Sequence, residues 1–249
     1  MTKTVVIIQA RVGSTRLPRK VLLSLGGQTV LSRVIDRVRR CRLVDQIVVA
    51  TTDQAEDDVI VEEVTRCGTV VTRGSQDDVL SRYCLAATET QAHRIIRITS
   101  DCPLVDPDLI DLLITRFDER SREGRPVDYL SNTHPRTFPH GLDAEMFTID
   151  ALRIANQEAT ERFEREHVTP FFYLNPTRFR LDNIAQAIDQ SKLRWTLDEP
   201  ADFRFFERVF ASFAPNTFVD TAQVLDLLAR NPEISNINSH VEQKHLKAA

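Results

Sequence analysis

Four short runs of the chain are apolar and rich in β-branched residues: Thr4 to Ala10, Gln46 to Thr51, Thr69 to Thr72 and Arg94 to Thr99. Runs of this length and composition, bounded by polar residues, predict buried strands. Between them the apolar positions shift to helical spacing: Val30, Leu31, Val34, Ile35 and Val38; then Val59, Ile60 and Val64; then Val79, Leu80, Tyr83, Cys84 and Ala87. Each set makes one apolar stripe on a helix. A further helix is expected from Pro107 to Phe117, with Asp106 as its N-cap and Leu109, Ile110, Leu112 and Leu113 on its apolar side. Strands alternating with helices of this length imply βαβ units, hence an α/β fold with a mostly parallel sheet flanked by helices on both faces.

The pattern loosens after residue 120. A polar turn (Glu119 to Pro126), a strand (Val127 to Ser131) and a Pro- and His-containing stretch (Thr133 to Gly141) are followed by helices at Asp150 to Glu161, Asp202 to Phe210 and Thr221 to Arg230. Strands are expected near Phe179 to Leu181 and Leu193 to Leu197. No linker, low-complexity break or internal repeat interrupts the chain, so residues 1–249 are expected to form one domain. In parallel sheets ligands bind beyond the carboxyl ends of the strands. That rule gathers Gln9 to Lys20, Thr51 to Asp53, Arg73 to Asp78 and Thr99 to Pro103 into one mouth.

Composition supports a folded chain: 42% hydrophobic and 27% charged residues supply a sizeable core and argue against disorder or a fibre. A net charge of −4 gives no general attraction to nucleic acid or an acidic membrane surface. The average conceals an asymmetry, because residues 1–42 carry ten Lys and Arg against one acid, Asp36, a net of +9, which leaves −13 on the remainder. A basic segment on an acidic body points to a local anionic ligand, the alternative being a solvated basic helix face. Cys41, Cys67, Cys84 and Cys102 have no metal-type spacing and suit idle thiols in a reducing compartment. No run reaches the roughly 18 apolar residues of a membrane span, and the start is unlike a signal peptide, so a cytoplasmic location is expected. Glycine is scarce, 7 of 249 residues, so each glycine in a candidate loop is expected to answer a backbone need.

Beyond the first strand the chain reads Gln9-Ala-Arg-Val-Gly-Ser-Thr-Arg-Leu-Pro-Arg-Lys20. One glycine, two hydroxyls and the cations Arg11, Arg16 and Lys20 suit a polyphosphate, since amides and guanidinium groups together offset several negative charges. The loop has neither the Walker A nor the G-x-G-x-x-G spacing. Asp101, directly after the fourth strand, stands where a carboxylate can reach a Mg²⁺ on that triphosphate; capping of the next turn is the competing account. His140, Asp143, Glu145, Glu166 and His167 offer His-plus-acid chemistry without a defined ligand spacing.

The loop resembles the signature of the CMP-sugar synthetases, the cytidylyltransferases that activate 3-deoxy-manno-octulosonate or sialic acids, and within them the SpsF-like branch of spore coat polysaccharide biosynthesis. The resemblance continues in order through Gly74-Ser-Gln-Asp-Asp-Val-Leu-Ser-Arg-Tyr83, Thr99-Ser-Asp-Cys-Pro-Leu104, His140-Gly-Leu-Asp-Ala-Glu145, Arg165-Glu-His-Val-Thr-Pro170 and Arg194-Trp-Thr-Leu-Asp-Glu-Pro200. It implies a Rossmann-like nucleotide-diphospho-sugar transferase domain, with residues 1–120 binding CTP and 121–249 binding the acceptor sugar and forming a homodimer. It implies further that Ala10, Arg11, Gly13, Ser14, Arg16, Lys20, Arg73, Gly74, Ser75, Asp78 and Ser100 hold the nucleotide, with Arg11, Arg16, Lys20 and Asp101 taking part in catalysis. Asp198 would join Asp101 in binding Mg²⁺, and His140, Asp143, Glu145, Glu166 and His167 would line the sugar side. A glycosyltransferase that uses a nucleotide-sugar and a non-catalytic nucleotide-binding partner are the rival expectations; a glycosyltransferase would carry D-x-D where this chain has Asp101-Cys-Pro.

Overall fold

The computed structural model describes residues 2–215 and 217–243. Met1, Asn216 and residues 244–249, which the expected 1–249 domain includes, lie outside the described residues. The chain runs through β1 (Thr4–Gln9), a hairpin of β2 (Ser24–Leu25) and β3 (Gln28–Thr29), α1 (Val30–Val38), β4 (Gln46–Thr52), α2 (Asp58–Arg66), β5 (Val70–Gly74), α3 (Val79–Glu89), β6 (Arg94–Thr99) and α4 (Pro107–Arg122). It continues with β7 (Tyr129–Ser131), β8 (Glu145–Thr148), α5 (Ile149–Glu158), α6 (Arg162–His167), α7 (Pro170–Tyr173), β9 (Leu181–Asn183), α8 (Pro200–Ala211), α9 (Thr221–Arg230) and α10 (Pro232–Asn236).

One seven-stranded sheet has the order β5-β4-β1-β6-β8-β7-β9. The first four are mutually parallel, β8 is antiparallel to both neighbours, and β9 runs parallel to β7. Val5, Val6, Ile7 and Ile8 of β1 are all fully buried, as a central strand covered on both faces requires. Val6 and Ile8 pack with α1, α2, α4, α8 and α9; Val5 and Ile7 pack with α3, α5 and α7 on the other face. The α/β fold with a mixed, mostly parallel sheet between two helical layers is therefore as the periodicity predicts.

Apart from the small β2–β3 hairpin, which the sequence does not announce, the differences fall from the end of α4 onward. Leu193 to Leu197 is not a strand: it is an extended segment that makes one bridge, Arg194 to His140. It passes so close to Gly141 that a Cβ there would lie 2.0 Å from the Trp195 carbonyl oxygen, and Gly141 has φ +100°. Only glycine tolerates that approach and that backbone. The polar residues Glu119 to Arg122 continue α4 rather than forming the turn, and the strand expected at Phe179 to Leu181 is shifted to Leu181–Asn183. Strand β8 leaves no periodic signal, because its apolar part is only Met146 and Phe147, between Glu145 and Thr148. No helix among the described residues is long and apolar enough to cross a membrane.

Candidate active site

A cleft of about 780 Å³ opens beyond the carboxyl ends of β1 and β6 and extends over β8 to α6 and α7. The loop after β1 is fixed by its own backbone. Ala10 N donates to Ala50 O at 3.1 Å, and Ser14 N and Arg19 N both donate to Val12 O. Val12 N donates to the buried Asp57 carboxylate at 2.7 Å, so an acid after β4 anchors the loop from beneath. Arg19 takes a left-handed conformation (φ 56°) that turns the chain into a short 3₁₀ turn, Lys20–Leu22. The Lys20 side chain is thereby aimed back across the cleft.

Its ammonium group stands between two carboxylates, 2.8 Å from Asp101 Oδ2 and 2.8 Å from Asp198 Oδ1. Arg16 reaches Asp198 at 3.3 Å and Glu199 at 3.1 Å. Burial opposes the charge on Lys20, but Asp101 and Asp198 outweigh it and push the group up to about 12. Burial likewise opposes the Asp101 carboxylate, and the Lys20 charge with its hydrogen bond brings it down to about 2. Three features position the acids. Leu197 N donates to Asp101 O at 2.8 Å, tying the two acidic segments together. Asp198 N donates to the fully buried Asp202, which also holds Arg194 through two 2.9 Å hydrogen bonds. Arg194 in turn lies 3.2 Å from the other oxygen of Asp198.

Capping does not account for either acid. The N-cap of α4 is Asp106 and that of α8 is Glu199, in a capping box with Asp202. Asp101 Oδ2 and Asp198 Oδ1 converge on one cationic position, and carboxylate oxygens are the donor type that a hard divalent ion takes. Among the described residues no three His, Cys, Asp or Glu side chains form a protein-only metal cage.

The resemblance-derived residues separate into those that share this cleft and those that do not. Ala10, Arg11, Gly13, Ser14, Arg16, Lys20, Ser100, Asp101, His140, Asp143, Glu145, Glu166, His167 and Asp198 all line it. Arg73, Gly74, Ser75 and Asp78 do not. Arg73 holds the carbonyls of Thr52 and Gln54 and pairs with Asp58. Gly74 pairs with Thr52 at the end of β5. Asp78 accepts from Ser81 N as the N-cap of α3, takes Arg165 at 2.5 Å and donates its own N–H to Ser75 Oγ. The residues of this segment that reach the cleft are Val79 and Arg82, the latter buried with its Nη1 on the Ser75 carbonyl at 2.7 Å.

On the far side, Asp143 takes both nitrogens of Arg136, at 2.5 and 2.7 Å. Glu145 pairs with Arg97 at 2.6 Å across the β6–β8 register and accepts from the Tyr129 hydroxyl. Arg11 approaches Glu166 at 4.0 Å. His140 and His167 are both shifted down, first by burial and then by the neighbouring charges of Arg136 and Arg97 respectively. Arg97, Arg136 and Arg194 are absent from the sequence-derived set. Arg97 left a readable signal, a charge set between Ile96 and Ile98 in the middle of β6, and Arg194 opens one of the resembling motifs; Arg136 lies in an irregular segment without a signal.

Residues 5–219 match the family described as Cytidylyltransferase. The chain is 32% identical over 241 residues to the spore coat polysaccharide biosynthesis protein SpsF of Bacillus subtilis, covering 94% of this chain and 97% of that one. It is 38% identical over 244 residues to an uncharacterized protein of Methanocaldococcus jannaschii, covering 97% of each. Among solved structures, a cytidylyltransferase from Leptospira borgpetersenii superposes with a TM-score of 0.89 at 31% identity, covering 98% of this chain and 100% of that one.

Proposed function

The chain belongs to the cytidylyltransferase family and is a nucleotidyltransferase, and from that premise we propose that it transfers CMP from CTP to an acidic sugar in cell-surface polysaccharide biosynthesis, releasing pyrophosphate. The observation that carries this reading is the Lys20 ammonium between Asp101 and Asp198 on the rim that also bears Arg16. Such a cluster of cations and paired acids suits a triphosphate that arrives with a divalent ion.

In the reaction a sugar hydroxyl oxygen bonds to the α-phosphorus, the bond from that phosphorus to the β-phosphate bridging oxygen breaks, and pyrophosphate leaves with the electron pair. The hydroxyl proton passes to solvent or to a carboxylate of the cleft. Asp101 and Asp198 would hold Mg²⁺, which when bound neutralises phosphate charge. Lys20, Arg11 and Arg16 attract the β- and γ-phosphates, most strongly as the departing pyrophosphate gains charge. The backbone of Ala10 and Gly13 and the hydroxyls of Ser14 and Ser100 complete the nucleotide side. His140, Asp143, Glu145, Glu166 and His167 face the sugar. Arg73, Gly74, Ser75 and Asp78 act on the nucleotide through Arg82, whose guanidinium their segment holds at the cleft wall. We assign the protein to the cytoplasm as a homodimer, on the family likeness alone.

The test is pyrophosphate release with each of the four ribonucleoside triphosphates, Mg²⁺, and a panel of sugar acids and neutral sugars. Release from CTP with a sugar acid, abolished by EDTA and restored by Mg²⁺, is expected. Release from a different triphosphate, or CMP transfer that persists in EDTA, overturns the corresponding part. Sugar transfer from a nucleotide-sugar would move the protein to the glycosyltransferases.

A further inference from the structure

The sheet carries a second charged centre inside the cleft that the phosphate chemistry does not use. Arg97 lies on β6, its side chain 12% exposed, facing Glu145 on β8. Its one side-chain hydrogen bond among the described residues is Nη1 to Glu145 Oε1, at 2.6 Å, and its Nε is buried with no partner. A guanidinium has five N–H donors; the buried Nε is closed to any ligand, but the terminal N–H groups left over from the Glu145 bond belong to a side chain that lines the cleft, where an anion can meet them. Glu145 cannot rotate to meet them, because its other oxygen accepts from the Tyr129 hydroxyl. The wall beside this centre is flat and aromatic: the His134 and Tyr173 rings stack 4.1 Å apart at 25°, with Thr169 and His167 adjoining along the cleft. Arg97 also precedes Asp101 by four residues, at most about 13 Å at roughly 3.3 Å per residue of strand.

We propose that Arg97 is the acceptor-recognition residue of this cleft and takes the carboxylate of a sugar acid through its outward N–H groups, with the sugar ring against the Tyr173–His134 wall. This rests on the cytidylyl-transfer reading. A carboxylate is planar with two oxygens, which matches the guanidinium fork and fixes orientation as well as charge. The acceptor is thus held at its acid end by β6, while its hydroxyl reaches towards the phosphate centre at the end of the same strand. A phosphate monoester fits less well, since its second charge would face Glu145.

The experiment compares wild type with Arg97→Gln and Arg97→Lys, using calorimetric CTP binding and pyrophosphate release with CTP and three acceptor panels: sugar acids, their neutral counterparts and sugar phosphates. Wild type is expected to use a sugar acid. Arg97→Gln should keep CTP affinity within about twofold while KM for the acid rises about 10- to 100-fold, the loss of a charge-assisted pair. Arg97→Lys keeps the charge opposite Glu145, so it guards against a failure of the first variant to fold, and it too should raise KM by losing the fork. An unchanged KM in a folded variant, or equal use of neutral sugars or sugar phosphates by wild type, overturns the Arg97 assignment while leaving cytidylyl transfer standing. No pyrophosphate from wild type with any acceptor overturns both.

Discussion

The two charged centres of the cleft are built with opposite deficits. Near the ends of β1 and β6, three cations, Lys20, Arg16 and Arg194, face four carboxylates, Asp101, Asp198, Glu199 and Asp202. At β8, the Arg97 guanidinium faces one carboxylate, and that carboxylate is shared with Tyr129. The first centre has acid to offer and suits a further cation; the second has N–H donors to offer and suits an anion. A substrate pair in which one end is a metal-bound triphosphate and the other a carboxylic acid would satisfy both at once. The contrast shows that counting charges over a whole cleft conceals its chemistry, since one centre has a carboxylate in excess while the other, balanced in charge, has N–H donors in excess.

Removing one acid from each centre should separate them. Asp101→Asn is expected to lower pyrophosphate release on the order of 10³-fold, with the melting temperature retained because Lys20 keeps Asp198. Substantial residual turnover in a folded Asp101→Asn would break the assignment of the first centre to chemistry. Glu145→Gln should instead act on stability: it leaves the Arg97 charge without its counter-ion, at a cost of about 3 kcal/mol, read as a lower denaturant midpoint at unchanged slope. Saturating sugar acid should recover part of that loss if Arg97 is free to take it.

The smallest expected effect is a pH dependence confined to the sugar side. His140 and His167 are held below their ordinary value of 6.5 in the folded chain, so the unfolded chain binds more protons below that pH. Their contribution to stability is therefore present above about pH 6.5 and lost as pH falls through their lower folded values. Thermal melts between pH 7.5 and 5 should show this decline, and the double variant His140→Gln, His167→Gln should reduce it, the remainder belonging to His134, which burial also holds below its ordinary value. A slope unchanged in the double variant would place the titration elsewhere in the molecule.

How much could be read in advance differs between the halves for the same reason the centres differ. In the first half each strand of the main sheet leaves a contiguous apolar run, each helix a stripe, and each ligand loop follows its strand directly; β1, β4, β5 and β6 end within two residues of expectation, and only the two-residue strands β2 and β3 leave no signal. In the second half the strands have three or four residues, too short for a period to emerge, and the site residues sit in extended segments held by partners far off in sequence. The segment Leu193 to Leu197 reads as a strand because its residues favour one, yet its backbone is divided between His140 and Asp101. Gly74, Ser75 and Asp78 lie in a motif loop that the resemblance gives to the nucleotide, and only the folded chain shows their strand pairing, capping and ion pair with Arg165.

The sequence by itself determined the α/β class, the alternating layers, the basic loop after β1 and the position of Asp101, because periodicity and strand-end loops are properties of neighbouring residues. Tertiary structure alone decided that Lys20 bridges Asp101 to an Asp198 that is 178 residues away from it, that Arg97 meets Glu145 across a strand pair, and that Asp202 fixes both Arg194 and the Asp198 backbone. Electrostatic partnership depends on distances of a few ångströms, and such distances are set by how the sheet orders its strands, which no local pattern along the chain records.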